Sequence, residues 1–278
     1  MERQIDQEEL AREIEAGEIA PADQVLALPE LAGRDPDEAL SDIAYTKGAW
    51  FLHFLEQRFG REAFDPFLRG WFDAHAFKSA TTEEFVDYLQ AHLLSKSPDL
   101  VTPTELDAWL QEPGIPSFAR RAQSRNFGIV DAARIAWSAE GRLPPASITG
   151  AWSTQEWTHF LDGLPQTLAQ ERMAALDAAY HFSGTPNGEL AQRWYPLAAR
   201  SGYHAADAGM AGFLQRVGRR KLIMPTYEAL VKTPEGLRFA RDVFAKARAG
   251  YHPITTASVQ AVIDKASTPA APAKAATP

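Results

Sequence analysis

An all-α fold is what this sequence predicts, and three observations carry the prediction. Apolar residues recur at three- and four-residue spacing, as in Phe64, Phe67, Leu68, Trp71 and Phe72. Helix-start signatures stand ahead of such stretches: Thr81 with Glu84 and Ser153 with Glu156 both have the spacing of a capping box. From Phe127 onward the pattern is uniform, with a striped segment, a short polar turn and another striped segment.

In chain order, residues 6–16 read as a short acidic helix ending at Gly17. Residues 18–34 are a connection broken by proline and glycine, with an apolar patch from Val25 to Leu28. The acidic turn Asp35-Pro36-Asp37 leads to a helix beginning near Ile43. Ala49 to Leu55 is apolar except for His53, so this central helix is expected to be buried on nearly every side. Its first turn is polar, with Tyr45 and Lys47, and Gly48 leaves bare backbone beyond them. A buried helix with a polar start often delivers that start into a cleft. The residues alone leave Tyr45 open between that role and a core tyrosine bonded through its hydroxyl. They read Asp35 and Asp37 as turn or N-cap carboxylates.

Arg61 to His75 forms the next helix, followed by one opened by Thr81 with Phe85, Tyr88, Leu89, His92 and Leu93 on one side. Thr102 or Thr104 starts a short helix carrying Leu106, Trp109 and Leu110. Residues 113–127 lack periodicity and are rich in proline, glycine and arginine, which marks a linker, and Phe118 implies that it is packed down. Helices then follow over 129–139, from Ser153, and over 168–180, 190–199, 205–217, 222–230 and 237–249. Each has one apolar stripe and is marginal alone. Stacked antiparallel pairs make an α-solenoid, and a compact bundle fits the same pattern. From Ser267 no large apolar residue remains, so the tail 267–278 is expected to be disordered.

At 278 residues the chain has room for one large or two ordinary domains. A formal charge of −8 argues against a general nucleic-acid binder. No apolar run is long enough to span a membrane. Cysteine is absent, which excludes disulfides, thiolate metal sites and a cysteine nucleophile. The acidic N-terminus is unlike a signal peptide. The expected compartment is the cytoplasm; a signal upstream of Met1 would make it periplasmic or secreted.

Asp35-Pro36-Asp37, then Tyr45-Thr46-Lys47-Gly48 opening an apolar helix, are followed in order by KSATTEEFVDYL, LDAWLQEPGIP, GRRK and YHPIT, to about Lys265. In these residues the chain resembles the zinc aminopeptidases of the peptidase M1 family, on the leukotriene A-4 hydrolase and aminopeptidase B branch. The resemblance implies the helical end of a gluzincin catalytic domain over 1–112. Beyond the linker it implies a helical-repeat domain over 128–266, a solenoid of ARM/HEAT-like helix pairs.

The resemblance also implies chemistry. Zinc lowers the pKa of its bound water toward about 7, and the resulting hydroxide attacks the N-terminal peptide bond. Tyr45 matches the tyrosine that donates to the oxyanion, a role whose loss typically costs roughly 2.7–4 kcal/mol of transition-state stabilisation. Asp37 matches an aspartate on the floor of the substrate pocket. Leu40 stands where the leukotriene branch has a second tyrosine, which favours peptide cleavage over epoxide hydrolysis. Arg219-Arg220-Lys221 reads, from the residues alone, as a solvated basic turn at a helix C-terminus. The resemblance instead makes Arg219 and Lys221 the pair that binds the free carboxylate of a short peptide, gripped from alternate positions of an extended turn.

A zincin needs two His one helical turn apart, with a Glu beside the first. None of the seven His is followed by Glu, and no two are four residues apart. His53 and His92 are expected to be hydrogen-bonded core residues, and His75 and His252 to sit at helix ends. The chain thus resembles the C-terminal portion of an M1 enzyme and is not expected to be active alone. Its expected partners are an upstream zinc-binding half and a short peptide. The competing reading is a non-catalytic helical-repeat binding module, and a truncated gene product is the third.

Overall fold

The computed structural model describes residues 1–27 and 41–267. Among the described residues the chain is helix and turn, with no strand. It divides into two units, Met1–Ser124 and Arg125–Pro278.

The first unit opens with α1 (Glu2–Glu15), which buries Gln7 and Leu10. After one π-helical turn at Ile43–Lys47 comes the central helix α2 (Gly48–Phe59). Then follow α3 (Arg61–Ala74), α4 (Thr82–His92) and α5 (Pro103–Leu110). The core is aromatic. Trp109 is fully buried and its ring meets Trp50, Phe51, Phe54 and Phe118 at centroid distances of 5.7–6.3 Å. Phe118 thereby packs the linker down, and Trp50 Nε1 donates to the Arg120 carbonyl at 2.9 Å. Gln7 and Gln4 accept from the Ala122 and Ser124 amides, both at 2.7 Å, so α1 clasps the end of the unit.

The central helix is more open than expected. Trp50, Phe51, Phe54 and Leu55 are buried, while Ala49 is exposed and Leu52 and His53 are half-buried. His53 bonds Glu56 at 2.9 Å and so has the partner that a half-buried imidazole needs. His92 is not a core residue: it is exposed and stacks on Tyr88 at 4.0 Å. Phe72 also leaves the expected apolar face and is exposed.

The second unit contains α6 (Arg125–Glu140), α7 (Thr154–Asp162), α8 (Gln170–Tyr180), α9 (Gly188–Ser201), α10 (Asp207–Arg216), α11 (Arg220–Leu230), α12 (Pro234–Ala247) and α13 (Pro253–Ser267). A single helical turn, Ala146–Thr149, separates α6 and α7. Alternate helices pack side by side: α7 on α9, α9 on α11 and α11 on α13, with α10 on α12 in the other layer. This two-layer stacking of successive pairs is the α-solenoid arrangement rather than a compact bundle.

Two boundaries differ from the sequence reading. Helix α6 starts at Arg125, inside the stretch 113–127 expected to be linker. Helix α13 was not expected at all. Its first half is rich in Thr, Ile and Val, which have weak helix propensity. Thr255, Val259 and Ile263 nevertheless fall four residues apart and are all buried, so packing overrides propensity. Ser267, the first residue of the expected disordered tail, closes this helix, and its hydroxyl donates to the Ile263 carbonyl at 2.5 Å. The rest of that tail, 268–278, lies outside the described residues.

Candidate active site

Tyr45 sits in the middle of the π-helical turn, and its side chain is 66% exposed. The core-tyrosine alternative is therefore excluded: the phenol has no hydrogen-bond partner in the first unit among the described residues. Its neighbours in the turn hold the backbone. Ile43 is 1% exposed. Lys47 is fully buried, and its ammonium donates to the carbonyls of Gln24 at 2.9 Å and Glu112 at 2.8 Å. Burial pushes the Lys47 pKa down to about 8, with Glu112 opposing the shift. Asp37 and Leu40 lie outside the described residues, as does Asp35.

Arg219, Arg220 and Lys221 are exposed, and among the described residues none of them is ion-paired. They do not lie at a helix C-terminus. Helix α10 ends at Arg216, Arg219 is the N-cap of α11, and Arg220 and Lys221 are its first two residues. Nor do Arg219 and Lys221 form alternate positions of one extended turn, because only Arg219 is extended, with φ −72° and ψ 114°. The correction changes the electrostatics. The helix dipole and unpaired N–H groups at an N-terminus repel cations and attract anions, so three side-chain charges there add to the same positive potential.

The basic turn is held from behind. The Gly218 carbonyl accepts from Thr255 Oγ1 at 3.3 Å. A Cβ on Gly218 would lie 3.3 Å from the Gly250 carbonyl oxygen, so the two segments touch backbone to backbone. Tyr251 donates to the Leu214 carbonyl at 2.5 Å and shares a 3.2 Å bond with Tyr227. Burial raises the pKa of both phenols. Tyr251 and Thr255 belong to the YHPIT stretch, whose bracing role has no signal in the sequence. His252 precedes α13, and its Nδ1 accepts from the Ile254 amide at 3.3 Å, so it works as an acceptor at a helix start. His75 bonds the Trp71 carbonyl at 2.9 Å, as expected of a helix end.

A cleft of about 620 Å³ in the second unit lies elsewhere. It is lined by Arg200, His204, Asp207, Thr233, Glu235 and Arg238, among others, beyond the C-terminal end of α11. The basic turn is at the opposite end of that helix, roughly 16 Å away at 1.5 Å per residue. Volume and charge thus point to different places, and the candidate anion site rests on charge. Among the described residues no group of three or more His, Asp or Glu converges as a metal site would require. The described residues do not fit a catalytic zinc.

Comparison with known proteins decides the family. Residues 5–108 match the peptidase family M1 domain, and residues 152–263 match the leukotriene A4 hydrolase C-terminal domain. The chain belongs to the M1 peptidase family. Among this M1 chain's relatives is leucine aminopeptidase 2 of Neurospora crassa, 30% identical over 82% of this chain and 35% of the relative. Aminopeptidase B of Mus musculus is 27% identical over 83% of this chain and 38% of its own length. The M1 chain thus spans less than two-fifths of these relatives. The structure of native yeast LTA4 hydrolase superposes with a TM-score of 0.78 at 22% identity, covering 94% of this chain and 45% of that one, and shares the fold. No helix among the described residues is long and apolar enough to cross a membrane.

Proposed function

We propose that this chain supplies the C-terminal part of an M1 metallo-aminopeptidase that removes N-terminal residues from short peptides. The observation that carries the reading is the exposed Tyr45 phenol on a backbone turn anchored by buried neighbours. A hydroxyl that has no partner among the described residues of its own unit, on a fixed turn, is free to donate to an oxyanion as it forms. Arg219 and Lys221, with the α11 N-terminus behind them, form an anion site suited to the free carboxylate of a short peptide. Asp37 contributes to the pocket for the N-terminal side chain. The zinc of the family belongs to the upstream half, which is this chain's partner, and no step through the metal is assigned to the residues here.

The test is Tyr45→Phe in the complete enzyme. Folding should be unchanged and kcat should fall by about two to three orders of magnitude, the usual effect of deleting an oxyanion donor. Near-normal kcat would remove Tyr45 from the chemistry and favour a helical-repeat binding module.

A further inference from the structure

We propose that Lys47 is the positioning residue for the Tyr45 turn: its buried ammonium, shared between the Gln24 and Glu112 carbonyls, fixes the π-helical turn that presents the phenol. The inference rests on the reading of Tyr45 as a functional group, but its evidence is independent of catalysis. Lys47 is fully buried, and its ammonium reaches carbonyls 23 residues before it and 65 residues after it. One side chain therefore ties three separate segments together.

Stability alone does not explain a lysine here. Burying an ammonium opposes its hydration, as the depressed pKa records. The two bonds have a geometric consequence that an apolar side chain of the same length lacks. They hold the last residue of a π-helical turn, in which the Gly48 amide donates back to the Ile43 carbonyl. Such turns are rare in α-helical chains and recur at functional sites. The Tyr45 phenol has no hydrogen bond among the described residues, so its position comes from the backbone on either side. Ile43 and Lys47 are the buried anchors of that backbone.

The test uses the full chain labelled with 3-fluorotyrosine. Seven tyrosines give seven resonances, and Tyr45→Phe identifies that of Tyr45. Lys47→Met should shift and sharpen the Tyr45 resonance while the other six hold their positions. Amide exchange at residues 47 and 48 should accelerate at least tenfold. Lys47→Gln, which keeps a neutral donor, should produce the same selective change at smaller amplitude. A Tyr45 resonance that stays put in both variants, or moves only together with the other six, overturns the assignment. Because nothing here is read from turnover, this result stands apart from the fate of the Tyr45 mechanism.

Discussion

Two helix starts in this chain present polar groups to solvent, and they are braced in opposite ways. At the start of α2 the exposed group is a neutral phenol and the buried brace is a cation, Lys47. At the start of α11 the exposed groups are cations and the buried braces are neutral hydroxyls, Tyr251 and Thr255. The difference follows from what each turn is asked to hold. A phenol adds no charge, so the buried ammonium beside it meets no second cation. Three cations already crowd the α11 terminus, and a further buried charge there would have no counter-ion. Neutral bonds to the Leu214 and Gly218 carbonyls fix that backbone without adding to the field.

The largest effect that separates the two turns is the kcat loss expected of Tyr45→Phe. A rise in KM with kcat unchanged would make the phenol a binding group and erase the contrast. Next, Tyr251→Phe should destabilise the second unit by about 1–3 kcal/mol, since the buried Leu214 carbonyl and Tyr227 hydroxyl lose their partner. Urea unfolding followed by unit-specific probes should show the first unit unchanged. An unaltered midpoint for the second unit would mean that water replaces the hydroxyl. Arg219→Ala should then raise KM for tripeptides roughly tenfold while leaving an uncharged anilide unaffected, as loss of a charge-assisted bond requires. An equal effect on both substrates would deny the turn its carboxylate.

The last expected effect is a pH slope. Lys47 releases its proton near pH 8 in the folded chain, whereas an unfolded lysine holds it to about 10.5. Between those values the unfolded state binds more protons, so this group makes stability rise with pH, and below pH 8 it contributes no slope. Urea midpoints between pH 8 and 9.5, below the tyrosine range, should show the rise in wild type and its loss in Lys47→Met. A flat wild-type profile would place the folded value close to that of a free lysine.

How much of this was legible in the sequence depends on how local each cause is. The capping boxes at Thr81 and Ser153 form as expected because their bonds span three residues, and a third at Thr102 decides the helix start that the sequence left between Thr102 and Thr104. The stripes of the second unit fixed its helices for the same reason. Helix α13 escaped notice because its stripe of Thr255, Val259 and Ile263 lies in residues of poor propensity, and only packing on α11 and α12 compensates. The basic run was given to the wrong helix end because Gly218 reads as a stop, whereas α10 already ends at Arg216. The π-helical turn had no local signal at all, since the carbonyls that hold Lys47 come from distant segments. Tyr45 was legible as a candidate through its resemblance, but its exposure and its brace were not.

The central claim is that each turn offers a peptide a group of its own, Tyr45 a phenol and Arg219 with Lys221 a site for a free carboxylate. Titration of a tripeptide into the isotopically labelled chain tests the second most directly. Resonances of residues 219–221 should shift along a saturation curve, and amidation of the peptide C-terminus should weaken that shift. Residues 219–221 that stay unmoved, or a shift that amidation leaves intact, would contradict it.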